Sequence, residues 1–491
     1  MWVVSHNRRK ALRATTGIAL AVTTVLFAGS ARADDATAKL QAQIDALQAQ
    51  INAMKSQPSS SSMSSLVADD GTLTWHGITL YGTVDVGVTS QTHGSGYNAD
   101  FPTGVGEIVQ KNGSGTKWTV TPNGMEQSKI GIKGKEKVLD DLDVVFKLEG
   151  AFNPVSGTLP NAHKSQIDNQ NQYTNLSNST TNGDSSRAGQ VFQGAAFGGL
   201  SSNTYGTITF GRQMGLMGDN VSAYDPQSNA YAFSPIGWSG FTGGGGNTED
   251  LRLDDSVKYN VSYGPARLGL MYQMNGNTNP YGGDDAYQAD LGFDYAGLSM
   301  DLTYAVKHDG ITTATTYGTQ NTSSLAAIVS DTRTWGVYAK YDWKPVKLYA
   351  GWEMINSSNP STPMWNGGTG IGGYQYGTLT QNKFGANQVF HVVWTGAKWA
   401  IQPNLFLNAA YYMYIQDNFS GVDNGVCVAA NTGKCAGTEK FVSLSLDYQM
   451  SKRFDLYGGV MYSRVDDGLY VGQGYLHNNT LSPAAGVRFK F

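Results

Sequence analysis

Cysteine is nearly missing from the chain. Its 491 residues hold two, Cys427 and Cys435, so a small disulfide-framed secreted scaffold is excluded. A thiolate metal site has no second pair to complete it. Charge is sparse as well: Asp, Glu, Lys and Arg make up 15% of residues and the net charge is −4, which gives no reason to invoke nucleic acid. Histidines 76, 93, 163, 308, 391 and 477 are scattered without ligand spacing. The mean hydropathy is −0.31, which excludes a helical membrane protein with its apolar runs of about 20 residues. What the chain has instead is 61 Gly, 27 Tyr and 10 Trp. That composition suits a sheet with one apolar face and wet loops, either a barrel or, as its soluble counterpart, a large sandwich or solenoid.

Residues 1–33 read as a secretory signal. Arg8, Arg9, Lys10 and Arg13 form the basic start, 17–28 the apolar core, and Ala31-Arg-Ala33 a small-residue cleavage site. Residues 34–57 follow as a short coiled-coil helix. Leu40, Ile44, Leu47, Ile51 and Met54 recur at spacings of four and three, the seam of a coiled coil. An amphipathic leader with no partner is the other reading of that segment, because short isolated helices are marginal. Pro58 and the serines after it make 58–71 a linker.

From residue 72 to 491 the hydrophobic period is two. Ile78, Leu80, Val84 and Val86 share one face and Thr79, Tyr81, Thr83 and Asp85 the other. Similar segments recur to the end, where Val487, Phe489 and Phe491 alternate with Gly486, Arg488 and Lys490. The count is about sixteen, an even number as a closed antiparallel barrel needs. Connections alternate between short turns such as Gly264-Pro265, Ala296-Gly297 and Lys344-Pro345 and long loops such as 90–124, 153–187 and 213–250. Outer-membrane barrels have that rhythm, with short turns in the periplasm and long loops outside. The expected fold is therefore all-β: a closed antiparallel transmembrane β-barrel preceded by a short periplasmic coiled-coil helix.

Four stretches carry a family resemblance. They are Leu80-Tyr-Gly-Thr-Val-Asp85, Ala196-Phe-Gly-Gly-Leu200 with Tyr205-Gly-Thr-Ile-Thr-Phe-Gly-Arg-Gln213, the run Ser451-Lys-Arg453 before Asp455-Leu-Tyr457, and Gly486-Val-Arg-Phe-Lys-Phe491. The chain resembles the trimeric porins of Gram-negative outer membranes from about Gly71 onward. The resemblance implies a homotrimer set in outer-membrane lipid and lipopolysaccharide. It implies three copies of the coiled coil, where Ile at a and Leu at d would favour two.

Alternation assigns faces. Ile130 and Ile132 go to lipid, so Lys129 and Lys133 go to the lumen; Val144, Phe146 and Leu148 go out, leaving Lys147 and Glu149 inside. In the same way Val257 and Tyr259 go out while Arg252, Ser256 and Lys258 go in, as does Arg267. Cations on the lipid face at mid-depth would cost about 2–4 kcal/mol each; at the rims they would simply be solvated. The resemblance implies that the third loop, 214–250, folds inward and faces a basic wall, mapping wall members to Lys129 and Arg212 and placing Lys258 beside a third. Asp219 and Asp225 are the acids expected opposite. Strict alternation puts Arg212 with Ile208 and Phe210 on the lipid side, and a bulge at Gly211 is what would turn it inward.

Other signals are bland. Gly368-Thr-Gly-Ile-Gly-Gly373 fits a dinucleotide pattern but lies in a loop without strand–helix context. Cys427 and Cys435 sit in one external loop, where a local disulfide is the simplest reading after export. Nothing marks an enzyme, a cofactor or a metal site. The leading function is passive diffusion of small polar solutes and ions across the outer membrane through a barrel narrowed by its third loop. A channel selective for small anions such as carboxylates is the alternative, and envelope tethering to the cell wall through the coiled coil is a third reading.

Overall fold

The computed structural model describes residues 73–93, 115–155, 157, 191–236, 252–274, 285–314, 326–361, 370–371, 374–375, 378–381, 387–418, 436–467 and 477–491. The chain divides into two compact units, Met1–Leu66 and Val67–Phe491, and every described residue belongs to the second. The expected signal, coiled-coil seam and linker, and both cysteines, lie outside the described residues.

Sixteen strands among the described residues form the wall. The first five are β1 (Ile78–Gln91), β2 in two segments (Lys117–Pro122 and Lys129–Leu139), β3 (Leu142–Ala151), β4 (Ala195–Ser202) and β5 (Gly206–Met214). A helix, α1 (Leu216–Tyr224), follows β5. Next come β6 (Arg252–Tyr263), β7 (Ala266–Gln273), β8 (Ala286–Tyr295), β9 (Leu298–Ala314), β10 (Ala326–Trp343) and β11 (Val346–Ser358). The wall ends with β12 (Gln388–Gln402), β13 (Leu405–Gln416), β14 (Gly437–Gln449), β15 (Phe454–Asp467) and β16 (Asn479–Lys490). Each strand pairs antiparallel with the next, and β16 returns to β1 with Phe489 opposite Val84 and Ala485 opposite Val88. Gly82 N donates to Phe491 O (2.8 Å) and Phe491 N to Gly82 O (3.1 Å), so pairing runs through the final residue.

Closure leaves no sheet edge, which is the condition for strands to stand in hydrocarbon. The faces then divide as the sequence pattern requires. On β14, Val442, Leu444 and Leu446 are exposed on the outside, while Phe441, Ser443 and Ser445 between them are buried inside. The exposed apolar face matches lipid and not water. Tyr205, Tyr263, Tyr295 and Trp343 stand at the short-turn end, 65–89% exposed, as an interfacial aromatic girdle does. The turn after β8 is a two-residue one with Ala296 and Gly297 both at positive φ, 50° and 85°, the primed geometry that matches strand twist.

Three strands differ from the sequence reading. The period-two pattern places β9 over 298–308 and β10 over 332–343; both run further and pair as far as Ala314 with Ala326. It places the second strand over 126–135; the strand is interrupted instead, and its first segment, Lys117–Pro122, falls in the expected loop 90–124. Its first segment pairs with β1 from Val86 to Gln91 and its second from Ile78 to Thr83, and residues 123–128 between them leave the ladder. The wall's outer face also yields a test. Leu444→Arg is expected to lower folding stability by about 2–4 kcal/mol, read from urea titrations of the protein refolded into vesicles. A change near zero would mean that Leu444 does not face lipid.

Candidate pore passage

Asp85 organises the break in β2. Its carboxylate is fully buried on the inner face of β1 and accepts from Met125 N (2.8 Å), Glu126 N (2.7 Å) and Tyr457 Oη (2.7 Å). Its backbone closes the knot: Asn123 N donates to Asp85 O (2.9 Å) and Asp85 N to Ser128 Oγ (2.9 Å). Asn123 stands at a positive φ of 64° and its Oδ1 accepts from Ser128 N (2.7 Å). Gly124 lies against the Tyr457 hydroxyl with no room for a Cβ. The result is that Met125, Glu126 and Gln127 project into the lumen.

Residues 215–236 enter from another side. From α1, Asn220 Nδ2 donates to Asp290 (2.7 Å) and Thr303 (2.6 Å) on β8 and β9, and Tyr224 donates to Asp301. Trp394 Nε1 on β12 donates to Tyr224 O (3.0 Å). Further along, Gln227 exchanges hydrogen bonds with Ser443 (2.9 Å) and Ser445 (2.6 Å) on β14. Ala232 N then donates to Gly124 O (2.9 Å) in the β2 break. Met217, Val221, Tyr224, Tyr231 and Ile236 share one buried cluster with inward side chains of β9–β15, including Tyr338, Phe390, Trp394, Tyr412 and Phe441. The segment is packed against one side of the inner wall.

The other side stays open. A cavity of about 620 Å³ lies between the inward segment and strands β2–β6. Seven charged side chains line it: Lys129, Lys147, Arg252 and Lys258 against Glu126, Glu149 and Asp219. Lys129 Nζ is 2.9 Å from Glu126 and Lys147 Nζ 3.1 Å from Glu149, while Lys258 pairs with Asp219 across the gap from wall to α1. Tyr81 Oη donates to Glu149 (2.8 Å), and Lys133 and Lys147 stand over its ring, 5.5 and 5.8 Å from the centroid. Arg252 Nε donates to Gly194 O (2.8 Å).

Of the residues proposed from sequence, Lys129, Lys147, Glu149, Lys258 and Asp219 line this cavity, and Lys133 is next to it through Tyr81. Arg267 is on the inner face but tied elsewhere, 2.8 Å from Asp294 and 2.9 Å from Asp301. Arg212 and Asp225 need correction. The extra residue near Gly211 belongs to β6, where Asp254 and Asp255 together oppose Arg212, and Asp255 takes a positive φ of 48°. β5 is irregular here as well, with Gly211 at a positive φ of 120° and Arg212 and Gln213 buried one after the other. Thr209 and Gln213 hydrogen-bond to each other and line the cavity, and Arg212 between them turns to Gln193 O (2.8 Å) and Asp254 instead.

Asp225 is not an acid facing cations. It is buried and accepts from Tyr412 Oη (2.6 Å), Asn229 N (2.7 Å) and Gln227 N (3.1 Å). Burial pushes its carboxyl above the usual range despite hydrogen bonds from Tyr412, Ser234 and the two backbone amides. It anchors the segment. Sequence reasoning missed Met125, Glu126, Gln127 and Tyr231, whose hydroxyl donates to Gln127 Oε1 (3.1 Å). It also missed Arg488 on β16, whose guanidinium bonds Asp455 (2.6 Å) and Asp447 (3.2 Å) and reaches 3.6 Å from Glu126.

A sixteen-stranded wall with an inward segment and a charged aqueous cavity can be set against known proteins. A family model described as Gram-negative porin matches residues 14–468. The chain belongs to the Gram-negative porin family. It is an outer-membrane channel protein. An outer membrane porin protein of Bordetella pertussis is 25% identical over 408 residues, covering 79% of this chain and 89% of that one. Among solved structures, an anion-selective porin from Comamonas acidovorans superposes with a TM-score of 0.56 at 15% identity, covering 84% of this chain and 99% of that one. OmpT of Vibrio cholerae in its trimer form gives a TM-score of 0.50 at 13% identity, covering 84% and 99%. At these identities the structures speak for the fold alone.

The buried anchor yields a prediction. Asp225→Ala strands the Tyr412 hydroxyl and two backbone amides and should weaken docking of 215–236 by about 1–3 kcal/mol, seen as larger open-channel current noise. Asp225→Asn keeps an acceptor and should be quieter. Because the docked carboxyl sits above its free value, docking takes up a proton, so acid favours the docked form. The difference between wild type and Asp225→Asn should therefore shrink as pH falls from 7 toward 4; a difference that grows would reverse the assignment.

Proposed function

We propose that this porin passes small hydrophilic solutes and ions by diffusion, with residues 215–236 narrowing the lumen to the cavity beside β2–β6. The observation that carries the reading is the lining of that cavity, four cations against three carboxylates, most of them in close pairs. Opposed fixed charges in a narrow wet passage sort solutes by size and charge, and a passage conducts only if each contact is weak enough to release. Paired charges satisfy that condition better than a bare cluster of one sign. By likeness to the trimer form of the Vibrio cholerae protein, the working unit is a homotrimer.

The net charge of +1 on the lining favours a second reading, a preference for small anions, and likeness to the anion-selective Comamonas acidovorans porin supports it. Single-channel recording in a planar bilayer under a salt gradient separates the two. General diffusion gives large ohmic steps, in triplets for a trimer, with mild selectivity and no block by added solutes. A selective channel gives small steps that a particular carboxylate blocks at low concentration. Replacing Lys129 and Lys147 together by Glu should move the reversal potential toward cations, and Glu149→Gln should move it toward anions. A reversal potential unchanged in both variants would remove this cavity from the ion path.

A further inference from the structure

The inner wall carries lysines that the cavity beside β2–β6 does not use. Lys340 on β10, Lys347 on β11 and Lys398 on β12 share the inward parity of Tyr338, Glu353 and Trp394, which are buried on those strands. All three stand near the short turns. Lys340 Nζ donates to Ala223 O (3.3 Å) at the end of α1 and lies 4.7 Å from the centroid of the Tyr224 ring. Gly396, just before Lys398 on the same face, lies against Pro226. The lysines therefore sit on the short-turn side of residues 215–236. Lys347 and Lys398 are direct cross-strand partners, about 5 Å apart at Cα. Lys340 is the diagonal neighbour of Lys347, since Asp342 faces Lys347 and Lys340 faces Tyr349.

What sets them apart is that no acid holds them. Among the described residues none of the three makes an ion pair. Other inward cations do: Lys129 with Glu126, Arg267 with Asp294 and Asp301, Arg488 and Lys490 with Asp455. Lys398 lies over the Phe406 ring instead, 4.9 Å from its centroid. Like charges directly opposite across a ladder are destabilising, and a bound anion would offset that cost for Lys347 and Lys398. The acids nearby are Asp342, opposite Lys347 on β10, and Asp447, which is tied to Arg488. Three ammoniums against Asp342 leave +2. A cavity of about 320 Å³ opens at this place, lined by Lys340, Lys347, Asp342, Asp294 and Ser299 with the β8–β9 turn. An ammonium is a compact charge with rotatable donors, so it selects for charge more than for a planar fork. A dianion matches the +2.

We propose that Lys347 and Lys398, with Lys340 beside them, form an anion site in the periplasmic mouth of the lumen that takes small dicarboxylates. One carboxylate bridges Lys347 and Lys398, and the other reaches Lys340 across the cavity, where the Ser299 hydroxyl is a further donor. Fixed charge of one sign in a cleft raises the local concentration of its counter-ion. Because the site lies on one side of the narrowing, a dicarboxylate entering from the periplasm meets it before the passage, and one entering from outside meets it after. Its hold on the current is therefore one-sided. This deepens the diffusion reading and rests on it for the current, but not for the binding.

The test uses the full-length refolded protein with succinate as the probe and acetate as its monovalent control. Binding is read by equilibrium dialysis at low salt, where screening is weak. Current is read from single insertions in a planar bilayer, with succinate added to one side and then to the other. Lys347→Gln with Lys398→Gln should weaken succinate binding about 10- to 30-fold, the loss of two partly exposed ammonium–carboxylate pairs, and should make the block equal from both sides. Lys347→Arg with Lys398→Arg should keep the binding and the one-sided block. Lys340 is left in place because it holds the end of α1. Wild type should bind acetate about 10-fold more weakly than succinate. Heat-modified gel migration checks that each variant is folded, and Lys398→Gln alone serves if the double variant is not. Unchanged succinate affinity in the folded variant, or equal binding of acetate, overturns the proposal. So does loss of binding in Lys129→Gln with Lys147→Gln while the mouth variant keeps it, which would move the site to the cavity beside β2–β6. Block of wild type that is equal from both sides overturns the one-sided path. A folded wild type that carries no current would remove the diffusion reading, and dialysis would still decide the site.

Discussion

Hydrocarbon offers no partner to a backbone amide or carbonyl, and each one left unpaired there costs several kcal/mol. That constraint closes the sheet, down to the exchange between Gly82 and Phe491 at the seam. Once closed, a strand has no freedom to rotate its faces, so whatever alternates with Leu444 or Ile132 must look into the lumen. A sixteen-stranded wall encloses more space than its own inward side chains can fill. Residues 215–236 fill part of it. They do so by satisfying the Asn220 and Gln227 side-chain amides and the Tyr224 carbonyl on the wall, at Asp290, Thr303, Ser443 and Trp394, and by burying Met217, Val221 and Tyr224 against aromatics.

The interior is consequently two-sided. Strands β9–β15 present Tyr338, Phe390, Trp394, Tyr412 and Phe441 inward, all fully buried, and each such side chain contributes on the order of 1.5–3 kcal/mol by leaving water. That half behaves as a protein core. The half made by β2–β6 presents lysines, glutamates and threonines to open space. The inward segment therefore belongs to the core of the molecule and only its free margin, with Asp219, Asn229 and Tyr231, borders the passage. The break in β2 completes the arrangement. Asp85 directs its carboxylate hydrogen bonds to Met125, Glu126 and Tyr457, and the glutamate so delivered, Glu126, meets Lys129 and Arg488 together.

Parity was legible because its physics is local: Ile130 and Ile132 cannot both be in lipid unless Lys129 and Lys133 are not. The strand count and the long-short rhythm followed for the same reason. The face of Arg212 was open between alternation and resemblance, because the extra residue of the bulge lies on the neighbouring strand, at Asp254 or Asp255, 42 or more positions away. The β2 break depends on Asp85, across the ladder, and its turn signal Pro122-Asn-Gly124 fell in the stretch read as the loop 90–124, so it announced no break in a strand. The aromatic half was announced too. Phe390 to Trp394 and Tyr411 to Ile415 are apolar on nearly every position, which in a barrel means one face on lipid and the other on protein, not water. Asp225 offers no such signal, because its partner Tyr412 lies on a distant strand.

The charges around the cavity act as pairs, and this sets how far they reach. Lys129 with Glu126 and Lys147 with Glu149 are separated by about one hydrogen bond, so each presents a dipole whose field falls away faster than that of a free charge. At physiological ionic strength the Debye length is about 8 Å, comparable to the width of a pore that a small solute can enter. A passing ion then feels a pair only when close enough to compete for one member of it. Under the proposed diffusion reading, selectivity built this way is a local exchange of partners, weak enough to let go, and the net positive charge of the lining biases which sign of solute makes the exchange first. Arg488, Glu126 and Lys129 form one connected chain, so a solute that displaces Glu126 from Lys129 meets a carboxylate still held on its far side by Arg488.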